Sequence, residues 1–297
     1  MTVLEVIKLS ADFLARKGVE SSRLQAELLL AHVLRMPRMQ LYLNFERALS
    51  VKEEDALREM VKRRGAREPL QHVTGSTSFC GFEIEVDRHV LVPRPETELL
   101  AERGWGFLNE QAGSRGVAPQ NTVEAGTRAA LDYGTGSGCL AIALAVHCRV
   151  ARVMGLDISA EALEVARKNA SQNCVLDRIE FVLGDGLGAV PSGSHFDLII
   201  ANPPYIPTAE IDRLEPEVRD YDPRSALDGG PDGLIFYRQL AARAGVLLKS
   251  NGKIMIEFGD GQESTVADLF RGENWVVEQI VNDYTQRPRI LVARTGS

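Results

Sequence analysis

The chain has 297 residues, a formal net charge of −7, 44% hydrophobic residues and 25% charged residues. That length allows one large domain and a small one, and the composition is ordinary for a globular protein. The acidic balance argues against a nucleic-acid binder that relies on phosphate contacts, and no apolar run reaches membrane-spanning length. The four cysteines, Cys80, Cys139, Cys148 and Cys174, show no C-x-x-C spacing. They read as reduced, mostly core thiols of a cytoplasmic protein, and no metal-ligand cluster is visible. Glu5 and Asp12 interrupt the amino-terminal apolar pattern, so no signal or transit peptide is expected there.

Residues 2 to about 67 read as helices. Val3, Val6, Ile7, Phe13 and Leu14 make one apolar stripe. Ser21 or Ser22 is a candidate cap for a second helix with Leu24, Leu28, Leu29, Val33 and Leu34 on its apolar face, and Pro37 ends it. Ser50 caps a further helix through Leu57 and Met60. Lys62, Arg63, Arg64 and Arg67 are adequately explained as cations at a helix carboxyl terminus. The expected organisation is a helical bundle over 1–70 and a β-hairpin linker over 71–94, where Phe82-Glu83-Ile84-Glu85-Val86 alternates. A third region, 95–297, opens with a helix from Pro95 to about Leu108. Residues Asn109 to Arg128, rich in Gly, Ser, Gln and Thr, read as a mobile insertion.

From Ala129 strand and helix patterns alternate. Strands are expected near 129–134, 151–157, 179–183, 196–201, 252–258, 275–281 and 289–294, with helices near 138–146, 160–172, 233–249 and 262–270. Helical crossovers between strands predict an α/β fold, a doubly wound seven-stranded, mostly parallel sheet. No helix fits between Val281 and Arg289, so the last two strands should pair antiparallel.

Three strand ends carry ligand-binding signals. Gly134-Thr135-Gly136-Ser137-Gly138 follows the first strand and opens a helix, and Cys139 stands where a dinucleotide fingerprint wants its third glycine. A cofactor without phosphates is favoured over a pyrophosphate. Asp157 ends the second strand nineteen residues after Gly138, suitably placed to take both ribose hydroxyls. Gly184-Asp185-Gly186 ends the third and places Asp185 against an adenine amino group.

The fourth strand, Phe196 to Ala201, stops abruptly in Asn202-Pro203-Pro204-Tyr205. Two prolines end a buried strand and push Asn202 into an extended conformation at its carboxyl end. An amide or aromatic-amine NH2 is a poor nucleophile because its lone pair is delocalised. The Asn202 side-chain oxygen and the Pro203 carbonyl are suited to accept its two hydrogens, with Tyr205 stacked on the planar group. Together the four strand ends describe an S-adenosylmethionine site facing an NH2 group.

These motifs resemble a family. Asn202 to Tyr205 with Gly134 to Gly138 is similar to amino-methyltransferases. Glu68-Pro69-Leu70-Gln71, Val92-Pro93-Arg94-Pro95-Glu96-Thr97-Glu98 and Ala226-Leu227-Asp228-Gly229-Gly230-Pro231-Asp232-Gly233-Leu234 resemble the bacterial peptide chain release factor N(5)-glutamine methyltransferases over nearly the whole chain. The resemblance implies a class I S-adenosylmethionine methyltransferase, Rossmann-like, behind a helical substrate-recognition domain. It implies methyl transfer to the glutamine amide nitrogen of the Gly-Gly-Gln loop in class 1 release factors. By it, Gly134, Thr135, Gly136, Ser137, Gly138, Asp157, Asp185, Gly186 and Asn202 hold the cofactor, and Asn202, Pro203, Pro204 and Tyr205 hold the glutamine. Gly186 stands where relatives often carry a large aromatic, and Tyr133 where they carry leucine.

Other readings are an N6-adenine or guanine-N2 methyltransferase, which uses a similar cup on a flipped base, and a non-catalytic binding protein. The acidic balance and the helical amino-terminal region disfavour the first; the intact cup and glycine loop disfavour the second. A nicotinamide dehydrogenase fails on the missing third glycine. The Pro207–Asp232 segment, with three arginines against eight acidic residues, reads as a long loop and a possible wall for an incoming protein loop.

Overall fold

Two capping boxes fix the helical register of the amino-terminal region. The computed structural model describes residues 1–113 and 126–296. Helix α1 (Val3–Arg16) begins where the Thr2 hydroxyl accepts from the Glu5 amide and Glu5 accepts from the Thr2 amide. Ser50 and Glu53 repeat that arrangement at α4 (Val51–Gly65). Between them lie α2 (Ser22–Leu34) and the single-turn α3 (Arg38–Leu41), and α5 (Leu70–Thr74) follows. Ser21 precedes α2 in a left-handed conformation, and its side chain makes no cap. The buried face of α2 is Ala26, Leu29, Leu30 and Ala31, and Leu24 is exposed.

This unit comprises Met1–Ser76 together with Leu214–Tyr221. Val3, Val6, Ile7, Leu14, Leu29, Leu30, Leu57 and Val61 form its core. The basic end of α4 is more than a helix-dipole feature. Arg63 pairs with Glu68, while buried Arg64 and Arg67 both bind Glu217 of the short helix Pro216–Arg219, Arg64 at 2.7 Å. The Tyr221 hydroxyl donates to the Ala66 carbonyl at 2.9 Å. The Pro207–Asp232 segment is therefore not a plain loop: it also contains 3₁₀ turns at Thr208–Arg213 and Arg224–Ala226.

The second unit holds Thr77–Arg213 and Asp222–Ser297. Strands β1 (Ser76–Phe79) and β2 (Phe82–Glu85) form a hairpin. Phe79 and Ile84 of this hairpin sit in the second unit's core. Helix α6 (Pro95–Gly113) runs five residues past the expected end, so Asn109–Gly113 is helical, and 114–125 of the expected insertion lie outside the described residues. The order continues β3 (Arg128–Tyr133), α7 (Cys139–His147), β4 (Ala151–Asp157), α8 (Ala160–Gln172), β5 (Ile179–Leu183) and β6 (Phe196–Ala201). Helix Ile235–Arg243, β7 (Leu248–Glu257), helix Glu263–Gly272, β8 (Trp275–Asn282) and β9 (Pro288–Thr295) complete the chain. The helix expected over 233–249 is shorter because β7 already begins at Leu248 after a 3₁₀ turn.

The sheet order is β5-β4-β3-β6-β7-β9-β8. β3 pairs parallel with β4 and β6, β4 with β5, and β6 with β7; β9 runs antiparallel to both β7 and β8. The winding reverses between β3 and β6, the switch point at which doubly wound sheets bind ligands. From Leu198 the side chains of β6 alternate between the two faces, Leu198 and Ile200 into one core and Ile199 and Ala201 into the other; Phe196, before a register shift, joins the second. The register Tyr133↔Ala201 and Ala201↔Ile256 brings Gly134, Asn202 and Glu257 side by side just past the strand ends. No described helix is long and apolar enough to cross a membrane.

Burial alone would raise the Glu217 carboxyl, but hydrogen bonds from Arg67 and Arg64 outweigh it and hold it at about 2. Its folded value lies below the ordinary 4.5, so its contribution is complete above pH 4.5 and is lost as pH falls toward 2. Glu217→Gln should lower stability at pH 7 by about 2 kcal/mol, because the buried Arg64 and the half-buried Arg67 both lose a charged partner. Urea denaturation across pH should show the difference from the native sequence shrinking below pH 4.5.

Candidate active site

The glycine loop is shaped by its backbone. Gly134, Gly136 and Gly138 have φ of 72°, 53° and 80°, the left-handed region that favours glycine. The Gly134 and Thr135 amides both donate to the Leu156 carbonyl at 2.9 Å, tying the loop to the end of β4. A Cβ at Gly134 or Gly136 would meet no protein atom within 4 Å, so this backbone faces open space. Gly138 does a different job. It precedes α7 and lies against α8, where its Cβ would stand 3.1 Å from the Ala166 Cβ.

Beneath the loop lies Asp132, fully buried. Its Oδ2 accepts from the Thr135 hydroxyl at 2.6 Å and the Ala141 amide at 3.0 Å. Burial pushes this carboxyl up to about 7 against those two bonds, and the negative charge of Asp157 adds to the rise. Asp157 accepts from the Gly136 amide at 2.8 Å and the Ser159 amide at 2.9 Å. Each of its oxygens keeps lone-pair capacity for a further donor.

The glycine loop and Asp157 line one cleft of about 290 Å³, with Asp132 behind its wall. Gly134 to Ser137, Asp157, Asp185 and Gly186 form one wall; Asn202 and Pro204 join them from the end of β6. Gly138 and Pro203 lie outside the lining, and so does Tyr205, whose ring packs over Gly259 and whose carbonyl accepts from Gln262 at 3.0 Å. The acidic groups Asp157, Asp185 and Asp228 face the cleft. The Arg94 guanidinium there is bound by buried Asp222 at 2.9 Å. Such a lining suits a cation better than a pyrophosphate.

At the Asn202 end a chain of hydrogen bonds leads inward. Asn202 Nδ2 donates to the Thr97 hydroxyl at 3.0 Å, and that hydroxyl donates to Glu257 Oε2 at 2.8 Å. Burial pushes the Glu257 carboxyl up to about 7; bonds from Thr97 and Asn202 and the charge of Arg289 oppose the rise, and Glu96 adds to it.

A profile described as the PrmC N-terminal domain matches residues 5–75, and one described as the methyltransferase small domain matches 113–214. The release factor glutamine methyltransferase of Chlorobaculum tepidum is 41% identical over 293 residues, 98% of this chain and 96% of the relative. That of Geobacter sulfurreducens is 42% identical over 270 residues, 91% and 88% of the two chains. The chain belongs to the release factor glutamine methyltransferase family. A solved structure, the hMettl16 catalytic domain in complex with the MAT2A 3'UTR hairpin 6, aligns with a TM-score of 0.53 at 14% identity. It covers 84% of this chain and 83% of its own and shares the class I methyltransferase fold.

Within this family member, sequence reasoning missed Thr97 and Phe236, which line the cleft, and the buried carboxyls Asp132 and Glu257 behind it. Thr97 sits inside the Pro95–Glu98 stretch that carried the resemblance, and the acceptor geometry of Asn202 was the signal that it needs a partner. Glu257 and Asp132 are acids at the ends of apolar strands, a pattern that singles out any buried carboxylate. Phe236 lines the cleft with Gly186, an aromatic from another helix near the position where the glycine has none.

Gly138→Ala should cost about 2 kcal/mol, because φ of 80° is strained for any residue with a Cβ and Ala166 leaves no free space. Urea unfolding of the variant, compared with the neutral control Gly188→Ala in open space, measures it.

Proposed function

We propose that this chain transfers a methyl group from S-adenosylmethionine to the side-chain amide nitrogen of the glutamine in the Gly-Gly-Gln motif of class 1 peptide chain release factors. The observation that carries the reading is Asn202 at the cleft wall, with its NH2 committed inward to Thr97. That arrangement turns its Oδ1 outward as an acceptor. The glutamine nitrogen brings two N–H groups, and the Asn202 oxygen and the Pro203 carbonyl are assigned to receive them. Held so, its lone pair points along one direction rather than sampling many.

The residues of the cleft fit S-adenosylmethionine. Positive-φ glycines open onto free space, Asp157 offers acceptors for a ribose diol, and the acidic lining suits a sulfonium. When bound, the cofactor supplies an electrophilic methyl group. The amide nitrogen gains that methyl and gives up one proton. Asp185 is assigned to the adenine amino group, with Gly186 beside it leaving room for the ring. Tyr205 lies outside the cleft lining, so its assigned stacking on the amide requires the ring to turn from Gly259 when substrate enters.

One amide-sized cup offers little area for reading a protein. We assign the remaining recognition to the helical amino-terminal unit, which includes the acidic Leu214–Tyr221 stretch. Remote contacts of that kind align a reacting group without touching it. The enzyme is assigned to the cytoplasm, where its substrate works, with no stable nucleic-acid or membrane partner.

Asp157→Ala should weaken S-adenosylmethionine binding by on the order of 1.5–3 kcal/mol per lost charge-assisted bond. Isothermal titration calorimetry with the cofactor alone reads this, and unchanged affinity removes Asp157 from the site. The substrate assignment is tested by mass spectrometry of an intact release factor after incubation with enzyme and cofactor. A single added methyl on the Gly-Gly-Gln glutamine, with little transfer to a short free peptide of that sequence, is expected. Label entering DNA or RNA while the factor stays unmodified would replace the proposal with the nucleic-acid reading.

A further inference from the structure

We infer that Thr97 and Glu257 are positioning residues that set the polarity of the Asn202 carboxamide, holding its oxygen toward the cleft and its NH2 toward the interior. The inference rests on the assignment of Asn202 to the acceptor amide. It goes beyond that assignment by naming what keeps the cup in its working orientation.

A carboxamide is nearly symmetric in shape, so packing alone does not distinguish its oxygen from its nitrogen. Only hydrogen-bond partners do. Glu257 lies 3% exposed at the end of β7, in register beside Asn202. As a carboxylate it has no proton to give and accepts only. The Thr97 hydroxyl has one proton, and it lies 2.8 Å from Glu257 Oε2. Once that proton is committed, Thr97 Oγ1 has only lone pairs to offer on its other side. The Asn202 atom 3.0 Å away must therefore be the nitrogen. A single buried charge thus sets the direction of an amide dipole at the cleft, through the Thr97 hydroxyl and through the bond that Asn202 itself gives the carboxylate.

The reversed state is equally explicit. A neutral Glu257 carries a proton and can donate to Thr97. The hydroxyl is then free to donate outward, and Asn202 can turn its oxygen inward and its NH2 to the cleft. Two NH2 groups would then face each other, and the substrate nitrogen would lose its acceptor. Such a reversal costs little in packing, so the difference between a productive and an unproductive cup lies in one proton.

The charged and titratable groups around Glu257 are known. Glu96 on α6 disfavours its ionised form, and Arg289 on β9 favours it. The Tyr205 and Tyr237 phenols face it and are themselves held neutral by burial. Tyr237 donates to the Glu257 main-chain carbonyl at 3.3 Å, leaving the carboxylate to Thr97 and Asn202. Glu257 is expected to be ionised in the productive state, and kcat is expected to fall as pH drops through about 7, where this buried carboxyl takes up its proton.

The test pairs kinetics with a measurement that needs no substrate. Thr97→Val keeps shape and removes the hydroxyl; Thr97→Ser keeps the hydroxyl and loses a methyl. Thr97→Val should lower kcat by about 10- to 100-fold, the range for removing a supporting partner, with the KM for cofactor within about twofold. Thr97→Ser should recover most of that loss, whereas a purely structural role would favour the isosteric valine. Glu257→Gln should lower kcat and abolish the acid limb near pH 7. In ¹⁵N-labelled protein, the Asn202 side-chain NH2 protons should show cross-relaxation with the Thr97 methyl, lost on lowering the pH and in Glu257→Gln. Valine retaining native kcat, serine failing as badly as valine, or an Asn202 NH2 that shows no contact with Thr97 above pH 7 would each overturn the relay. If the native enzyme methylates no release factor, the functional reading falls, and the carboxamide signals still decide the relay.

Discussion

Everything at this site depends on how β6 ends. Six buried residues, Phe196–Ala201, run into two consecutive prolines that offer no N–H to a neighbouring strand. The sheet cannot extend past Ala201 on that strand, and the pairs Tyr133↔Ala201 and Ala201↔Ile256 fix what stands beside the break. Gly134 follows on one side and Glu257 on the other. The glycine loop, the Asn202 amide and the Glu257 carboxylate are therefore placed by register, not by long flexible loops. A one-residue slip would turn Asn202 to the opposite face and dismantle the arrangement.

The architecture was legible because its signals are local and periodic. Strand positions near 151–157, 179–183 and 196–201 match β4, β5 and β6, and the short Val281–Arg289 interval correctly foretold the antiparallel β8–β9 pair. Gly134 to Ser137, Asp157, Asp185 and Asn202 were also readable, since each stands at a strand end where a turn residue or an acid is conspicuous. What escaped was tertiary. Arg64 and Arg67 look like dipole-stabilising cations until Glu217, 153 positions from Arg64, folds back between them. Leu24 looks like part of an apolar face, but the packed face of α2 is Ala26, Leu29, Leu30 and Ala31, and Leu24 is exposed. Thr97 and Glu257 are 160 positions apart, and no spacing rule pairs a hydroxyl with an acid across that distance.

Tyr205 shows the limit of motif reading from the other side. The sequence places an aromatic beside two prolines and suggests a stacking platform. In the folded chain its carbonyl is held by Gln262, and Gln262 Oε1 is in turn fixed by the Gly259 amide at 2.9 Å. The ring fills the space above Gly259, where any Cβ would clash with Cδ2. The main chain of Tyr205 is thus tied in position and its ring packs against Gly259, away from the cleft lining.

Asp132 and Glu257 share a design that explains how an acidic cleft can run neutral chemistry. Each is a carboxyl buried one layer behind the cleft wall, each is held by a threonine hydroxyl, and burial pushes each toward about 7. Neither group lines the cleft. Asp132 accepts from Thr135 and from the first turn of α7, and so ties the glycine loop to that helix. Glu257 accepts from Thr97 and from Asn202, and Thr97 in turn accepts from Asn202. Each group sits close enough to impose direction on neighbouring dipoles and too deep to accept a proton from substrate directly. The cleft itself is left with Asp157 and Asp185 facing solvent-accessible space, and with Arg94 neutralised by Asp222. A cation without phosphates is the ligand that such an electrostatic layout favours, and an uncharged amide is the acceptor that its oriented dipoles can hold. A base strong enough to deprotonate an amide is neither present at the wall nor required, because nitrogen sheds its proton readily once it carries a fourth bond.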